Sequence, residues 1–276
     1  MAEPLYRVLN LTFNADPVIY SITVDSLIDL SKKICVVTGG SKGIGLAIAS
    51  LLAQASAHVI IADVDSTGAQ QAAADLNAKG ALVNALEIDV SNEDSILRFS
   101  QNLLEQFGSP WALINNAGLQ DRQHFLDTSA QEWDRLHGVN ARGPFLLTRE
   151  FARMMITNAQ GGRVVNLASM VLQGGIVQGL VAYGASKGAL LGLSQTTAYE
   201  LAEHGITVNT VLPGGVATPG AIAAKGPPAC GPGSRNVPLG RCEPKDIASA
   251  VLYFVSPMAR RVTNQVLAVD GGFSVS

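Results

Sequence analysis

Tyr183 and Lys187 stand four residues apart in Tyr183-Gly-Ala-Ser-Lys187. On a helix that spacing puts both side chains on one face, a single turn apart. A free phenol titrates near ~10, too high for a base at neutral pH. An ammonium one turn away stabilises the phenolate and lowers that value, each unit being worth about 1.4 kcal/mol. The pair is therefore a candidate proton-transfer couple, although a chain with five tyrosines also yields such spacings by chance. Ser169, fourteen residues earlier, follows an apolar run, where its hydroxyl can hold a substrate oxygen beside Tyr183.

A second set of residues has the chemistry of a phosphate cradle. In Thr38-Gly-Gly-Ser-Lys-Gly-Ile-Gly45, the glycines Gly39, Gly43 and Gly45 let the backbone turn tightly and approach a pyrophosphate. The phosphates would sit on the unpaired N–H groups of the helix that follows. The same glycines also suit a bare tight turn. Asp63 falls at the end of the next apolar run, where a carboxylate can bind adenosine ribose hydroxyls and repel a 2′-phosphate. An acid there is equally at home in a plain strand-end turn. Lys42 pulls the other way, since a cation beside the loop welcomes a 2′-phosphate; Asp63 weighs more because it would touch the ribose directly.

The elements that must position these groups alternate. Apolar runs at Ile34–Thr38, His58–Ala62, Ala81–Ile88, Trp111–Asn115, Arg163–Leu167, Ile206–Val211 and Gln265–Val269 read as strands. Helices are expected between them, with Ser66 capping one and Ser91, followed by Asp94, opening another. A long helical region at 130–158 contains Pro144, so a kink is expected near Asn140. Alternating strands and helices give an α/β fold of Rossmann type: one doubly wound parallel sheet with helices on both faces, in a single domain. The ligand cleft then lies at the carboxyl ends of the strands, where strand order reverses. Residues 32–276 form this domain and residues 1–31 an N-terminal extension. Alternation in Leu9–Asn14 and Tyr20–Val24 suggests a strand-like arm there. Residues 214–242, rich in Gly, Pro and Ala, are placed to form a lid.

Composition excludes several function classes. Of the 276 residues only 15% are charged, against roughly 25% in an average domain, and the net charge is −3. Without a Lys/Arg run, nucleic acid is not an expected partner. The uncharged stretch 164–186 contains Asn166, Ser169, Gln173, Gln178 and glycines, so it is not a membrane span. Three cysteines without CxxC spacing and four scattered histidines predict neither a disulfide framework nor a metal site. The N-terminus lacks the pattern of a signal or transit peptide, which makes the cytoplasm the expected location.

Taken together, Thr38–Gly45, Asn115-Asn-Ala-Gly118, Asn140, Ser169, Tyr183/Lys187, Pro213-Gly214 and the C-terminal Val269-Asp-Gly-Gly272 resemble the short-chain dehydrogenase/reductase family, in that family's order. The resemblance runs from about Leu30 to the end. It implies a catalytic set of four. Tyr183 would be the general acid/base and Lys187 would lower its pKa and bind the nicotinamide ribose. Ser169 would orient the substrate oxygen, and Asn140 would hold a water that relays protons to Lys187. It further implies Ser41 and Ile44 at the pyrophosphate, Asp63 at the ribose and Asp89 with Val90 at adenine. Asn116, Ala117 and Gly118 would line the cofactor, and Pro213, Gly214, Val216 and Thr218 would flank the nicotinamide. Relatives commonly form tetramers, so a homotetramer is expected.

Val171 and Gln173 are expected at the substrate, along with Ser169 and Tyr183, and Gln120, Gln178 and the lid are further pocket candidates. Their neutrality points to an uncharged alcohol or ketone, with Arg122 the one residue able to supply a cation for an anionic one. The sequence thus reads as an NAD(H)-dependent oxidoreductase of secondary alcohols and ketones. The alternatives are an NADPH-dependent ketone or 3-oxoacyl-thioester reductase and, in another class, a nucleotide-binding regulatory protein without turnover.

Overall fold

The computed structural model describes residues 24–276, so most of the strand-like arm expected within 1–31 lies outside them; its described part is not a strand, since Val24 opens a short helix. Among the described residues seven strands form one parallel sheet: β1 (Ile34–Thr38), β2 (His58–Asp63), β3 (Leu82–Glu87), β4 (Ala112–Asn115), β5 (Gly162–Leu167), β6 (Ile206–Pro213) and β7 (Val266–Val269). Their order is β3-β2-β1-β4-β5-β6-β7, so the winding reverses between β1 and β4. The loops that leave those two strands border a cleft at their carboxyl ends.

The strands read as unbroken apolar runs because both faces are covered. Cys35 and Val37, Val59 and Ile61, and Ala112 and Ile114 face one core, together with Ile48, Leu52, Ala69, Ile247 and Phe254. Val36, Ile60 and Leu113 face the other, with Phe99, Leu103, Leu147, Phe151 and Met155. A short helix, α1 (Val24–Ile28), precedes β1, and Leu30 just after it is buried in the first core. Beyond it lie α2 (Gly43–Gln54), α3 (Ser66–Asn77), α4 (Glu93–Phe107), α5 (Ala130–His137), α6 (Gly143–Asn158), α7 (Val181–Leu201), α8 (Pro219–Ala223) and α9 (Pro244–Val255). Helices α2, α3 and α9 supply the first core, α4, α6 and α7 the second.

Two helix starts differ from the sequence reading by one residue. Asp65, not Ser66, caps α3 by accepting from Gly68 N–H at 2.9 Å. Asn92 caps α4 through Ser95 N–H, because Ser91 is already held by the Asp89 carboxylate. The kink expected near Asn140 is a π-turn, Gly138–Arg142, joining α5 to α6. Pro144 has no N–H for the Asn140 carbonyl one α-turn back, and the Gly143 N–H bonds to Gly138 O, five residues back. A side chain at Gly143 would strike the Val90 carbonyl, so the bulge is seated against the loop after β3.

Candidate active site

The cleft is built by cross-bracing the two switch-point loops. Thr38 Oγ1 accepts from the N–H groups of Asn116 and Ala117, each at 3.0 Å, and donates to Ile114 O. The Asn116 amide donates back to Thr38 O at 2.8 Å and Gly39 O at 3.0 Å. Gly39 has φ +61°, and a Cβ there would lie 2.9 Å from Ala117 Cα; a Cβ at Gly45 would run into the Gly39 carbonyl. The N-terminus of α2 has no side-chain cap, which leaves its first N–H groups facing the cleft. Asp63 closes this end. Its buried carboxylate accepts from Ser41 N–H at 3.0 Å and Asp65 N–H at 3.1 Å.

At the other end α7 presents Tyr183 and Lys187 over the end of β5. A buried polar ladder sets the register: Asn115 Nδ2 donates to Asn166 Oδ1 at 2.8 Å, and Asn166 Nδ2 to Ser194 Oγ at 2.8 Å. Two turns along α7 from Ser194, Lys187 Nζ donates to Leu167 O at 2.7 Å. Ser169 Oγ accepts from Val171 N–H at 3.2 Å and hydrogen-bonds the Tyr183 phenol. Burial pushes that phenol up from its ordinary value, and the Ser169 bond opposes the shift. Burial likewise pushes Lys187 down, to about 8. Asn140 is completely buried behind these groups: its Oδ1 accepts from Leu119 N–H, and its Nδ2 donates to Leu119 O and Ser186 Oγ. Asn140 thus spends its side chain on holding Leu119 and α7 together.

One cavity of about 740 Å³ joins the two ends. Of the residues singled out from the sequence, Gly39, Lys42, Gly43, Ile44, Gly45, Asp63, Asp89, Val90, Asn116, Ala117, Gly118, Pro213, Gly214, Val216 and Thr218 line it, with Ser169, Tyr183, Lys187 and Gln120. Asn140 and Ser41 stand behind the wall; Ser41 contributes its N–H to Asp63, and its buried hydroxyl lacks a protein partner. Val171 and Gln178 line a separate apolar groove, and Gln173 lines neither. Val171 lies in the turn Met170–Gln173 and packs beside Gly184, the neighbour of Tyr183. Arg122 donates from Nε to Pro227 O at 2.8 Å and is not on the cavity wall.

Leu167, not singled out from the sequence, acts through its carbonyl, while Ala221, Ala223, Ala224 and Lys225 roof the cavity from the 214–242 segment expected to form a lid. Asp121, three residues past Gly118, also lines it. A dinucleotide fits these residues: Gly39 and Gly43 leave room where side chains would fill the cradle, α2 offers uncapped N–H groups, and Asp63 sits at the far end. Among the described residues no group of three or more His, Cys, Asp or Glu is placed to hold a metal ion. No helix among them is long and apolar enough to cross a membrane.

The family model described as enoyl-(acyl carrier protein) reductase matches residues 39–274. Cyclopentanol dehydrogenase of Comamonas sp. is 35% identical over 260 residues, covering 90% of this chain and 99% of that protein. The 3-oxoacyl-(acyl-carrier-protein) reductase of Vibrio cholerae is 34% identical over 245 residues, covering 88% of this chain and 98% of its own length. The crystal structure of a short-chain type dehydrogenase/reductase from Mycobacterium marinum superposes with a TM-score of 0.83 at 30% identity, over 92% of this chain and all of that one.

Proposed function

The chain belongs to the short-chain dehydrogenase/reductase family, and from that membership we propose that it interconverts an uncharged secondary alcohol and its ketone with NAD(H). The observation that carries the reading is the meeting of Ser169, Tyr183 and Lys187 in one cavity with the glycine cradle. When bound, the nicotinamide cofactor supplies or removes the hydride. The Gly39–Gly45 loop and the N-terminus of α2 hold its pyrophosphate, and Asp63 its adenosine ribose. Ser169 orients the substrate oxygen toward the Tyr183 phenol. In reduction that phenol donates its proton to the developing alkoxide; in oxidation it takes the hydroxyl proton. Lys187, fixed by Leu167 O, supplies positive charge beside the phenol and a donor for the nicotinamide ribose. Asn140 holds the Leu119 backbone and α7 together, and its carbonyl offers a seat for a water that passes protons to Lys187.

Residues 32–276 are the catalytic unit in this reading, which acts in the cytoplasm as a homotetramer. Screening a panel of alcohols and ketones by the absorbance of reduced nicotinamide tests it. Turnover of a neutral alcohol or ketone supports the assignment; cofactor binding without turnover across the panel favours the regulatory alternative.

A second reading rests on Lys42, which is exposed on the cavity wall. It would welcome a 2′-phosphate and favour an NADPH-dependent ketone or 3-oxoacyl-thioester reductase; the Vibrio cholerae relative is named a 3-oxoacyl-(acyl-carrier-protein) reductase. Initial rates with NADH and NADPH separate the two. Under the NAD(H) assignment Asp63→Ala narrows the NADH preference, and an unchanged ratio overturns the ribose contact.

A further inference from the structure

The roof of the cavity is a segment with almost no packing of its own. From Pro219 to Gly226 only Ala224 is even half-buried, and Ile222 is 80% exposed. Hydrogen bonds to one turn hold it instead. Asp121 Oδ1 accepts from Lys225 N–H at 2.8 Å. Arg122 N–H donates to Lys225 O at 2.8 Å, and its Nε to Pro227 O. The other Asp121 oxygen is fixed from α5 by Arg135 Nη2 at 2.5 Å, and Arg135 is itself held by both oxygens of Glu132. The turn carrying Asp121 is anchored to the interior two residues earlier, where the Asn140 amide holds Leu119 by both backbone groups. Asp121 thus ties together three parts: the turn after β4 that Asn140 anchors, α5, and a roof that lacks a core.

We propose that Asp121 is a positioning residue that holds the Ala221–Lys225 roof down over the cavity, and that it governs substrate retention rather than proton transfer. The second half of the proposal rests on the dehydrogenase reading above; the first does not. The geometry separates Asp121 from the chemistry, because its carboxylate faces Lys225 N–H and Arg135 while Ser169 and Lys187 engage Tyr183 and Leu167. Asp121 also differs from Arg122, whose backbone amide would form its bond with any side chain in place.

The test compares Asp121→Ala, Asp121→Asn and Arg135→Met with the parent protein, each first checked for an unchanged circular dichroism spectrum. Backbone amide exchange across residues 220–226 is read without cofactor or substrate. Asp121→Ala should speed exchange at Lys225 by about tenfold, the loss expected of one charge-assisted hydrogen bond. Asp121→Asn, which keeps the acceptor oxygen, should restore most of the protection. Arg135→Met should give a smaller acceleration, and it carries the test if Asp121→Ala does not fold. With a substrate from the panel, KM should rise about tenfold in Asp121→Ala while kcat holds or increases, as when opening a lid hastens product release. Unchanged exchange in Asp121→Ala, or Asn behaving as Ala, overturns the latch. A fall in kcat at constant KM overturns the retention role. If no alcohol or ketone is turned over but exchange accelerates, the latch stands and the dehydrogenase reading fails.

Discussion

Tyr183 and Lys187 lie within a turn of one another, and burial drives each toward its neutral form, the phenol upward and the ammonium down to about 8. The spacing made the pair legible but not this balance, since desolvation depends on what α7 is packed against rather than on which residues it carries. Ketone reduction suits the resting state, because the proton donor is already protonated. As pH rises through about 8, Lys187 loses its charge, so kcat/KM for reduction should fall across that point in a pH–rate profile. Tyr183→Phe should lower kcat by about 10²–10⁴-fold while leaving cofactor binding in place; turnover near the parent level would defeat the role given to the phenol. Stability responds with its own sign. The folded value of Lys187 lies below its unfolded value near 10.5, so the folded state binds fewer protons between pH 8 and 10.5 and stability rises with pH there. Below pH 8 the whole cost of burying the ammonium stands. Lys187→Met should therefore abolish activity yet raise thermal stability at pH 7 by about 1 kcal/mol, after allowing for the donor lost at Leu167 O. Thermal unfolding at pH 7 and pH 9.5 checks this, the gain being smaller at the higher pH.

Strands and most helices could be read from the chain because covering both sheet faces leaves a simple mark, the unbroken apolar run. The elements that were harder to read are set by contacts distant in sequence. The π-turn at Gly138–Arg142 depends on Gly143 meeting the Val90 carbonyl, more than fifty residues earlier, as much as on Pro144. The substrate side was legible in outline alone: Val171, expected at the substrate, lines the groove beside the cavity, and Gln173 lines neither, because where a short turn sets its side chains depends on the helix it packs against. Helix α8 is Pro-Gly-Ala-Ile-Ala with no buried side chain, so no periodicity announces it. The glycine cradle is the opposite case, an element whose residue types follow from sterics. Gly45→Ala puts a methyl group into the Gly39 carbonyl, and the loop must shift to admit it. We expect a loss of about 2 kcal/mol in stability. Dinucleotide binding measured by titration calorimetry should weaken at least tenfold, because the N–H groups of α2 lose their aim. Unchanged affinity would mean that the pyrophosphate lies elsewhere.

At the scale of the whole molecule the low charge acquires a cause, and with it a last prediction. Covering both sheet faces accounts for the buried apolar residues, but several large ones stay outside: Phe145 on α6 is 44% exposed, Tyr199 on α7 87%, and Val266 and Leu267 on β7 39% each. They lie on two separate surfaces, the long helices and the edge strand of the sheet. Among the described residues β7 has no strand on its outer side, and an edge strand with apolar side chains invites a second chain, since soluble monomers rarely leave such patches open. The homotetramer proposed above would use both, since two independent self-complementary surfaces build a closed assembly of four. Sedimentation equilibrium at micromolar concentration should therefore give four times 28.8 kDa, and Leu267→Lys, which charges the edge strand alone, should leave a dimer. A monomer in the parent protein would overturn the assembly outright. A tetramer that survives Leu267→Lys would move the second interface away from β7.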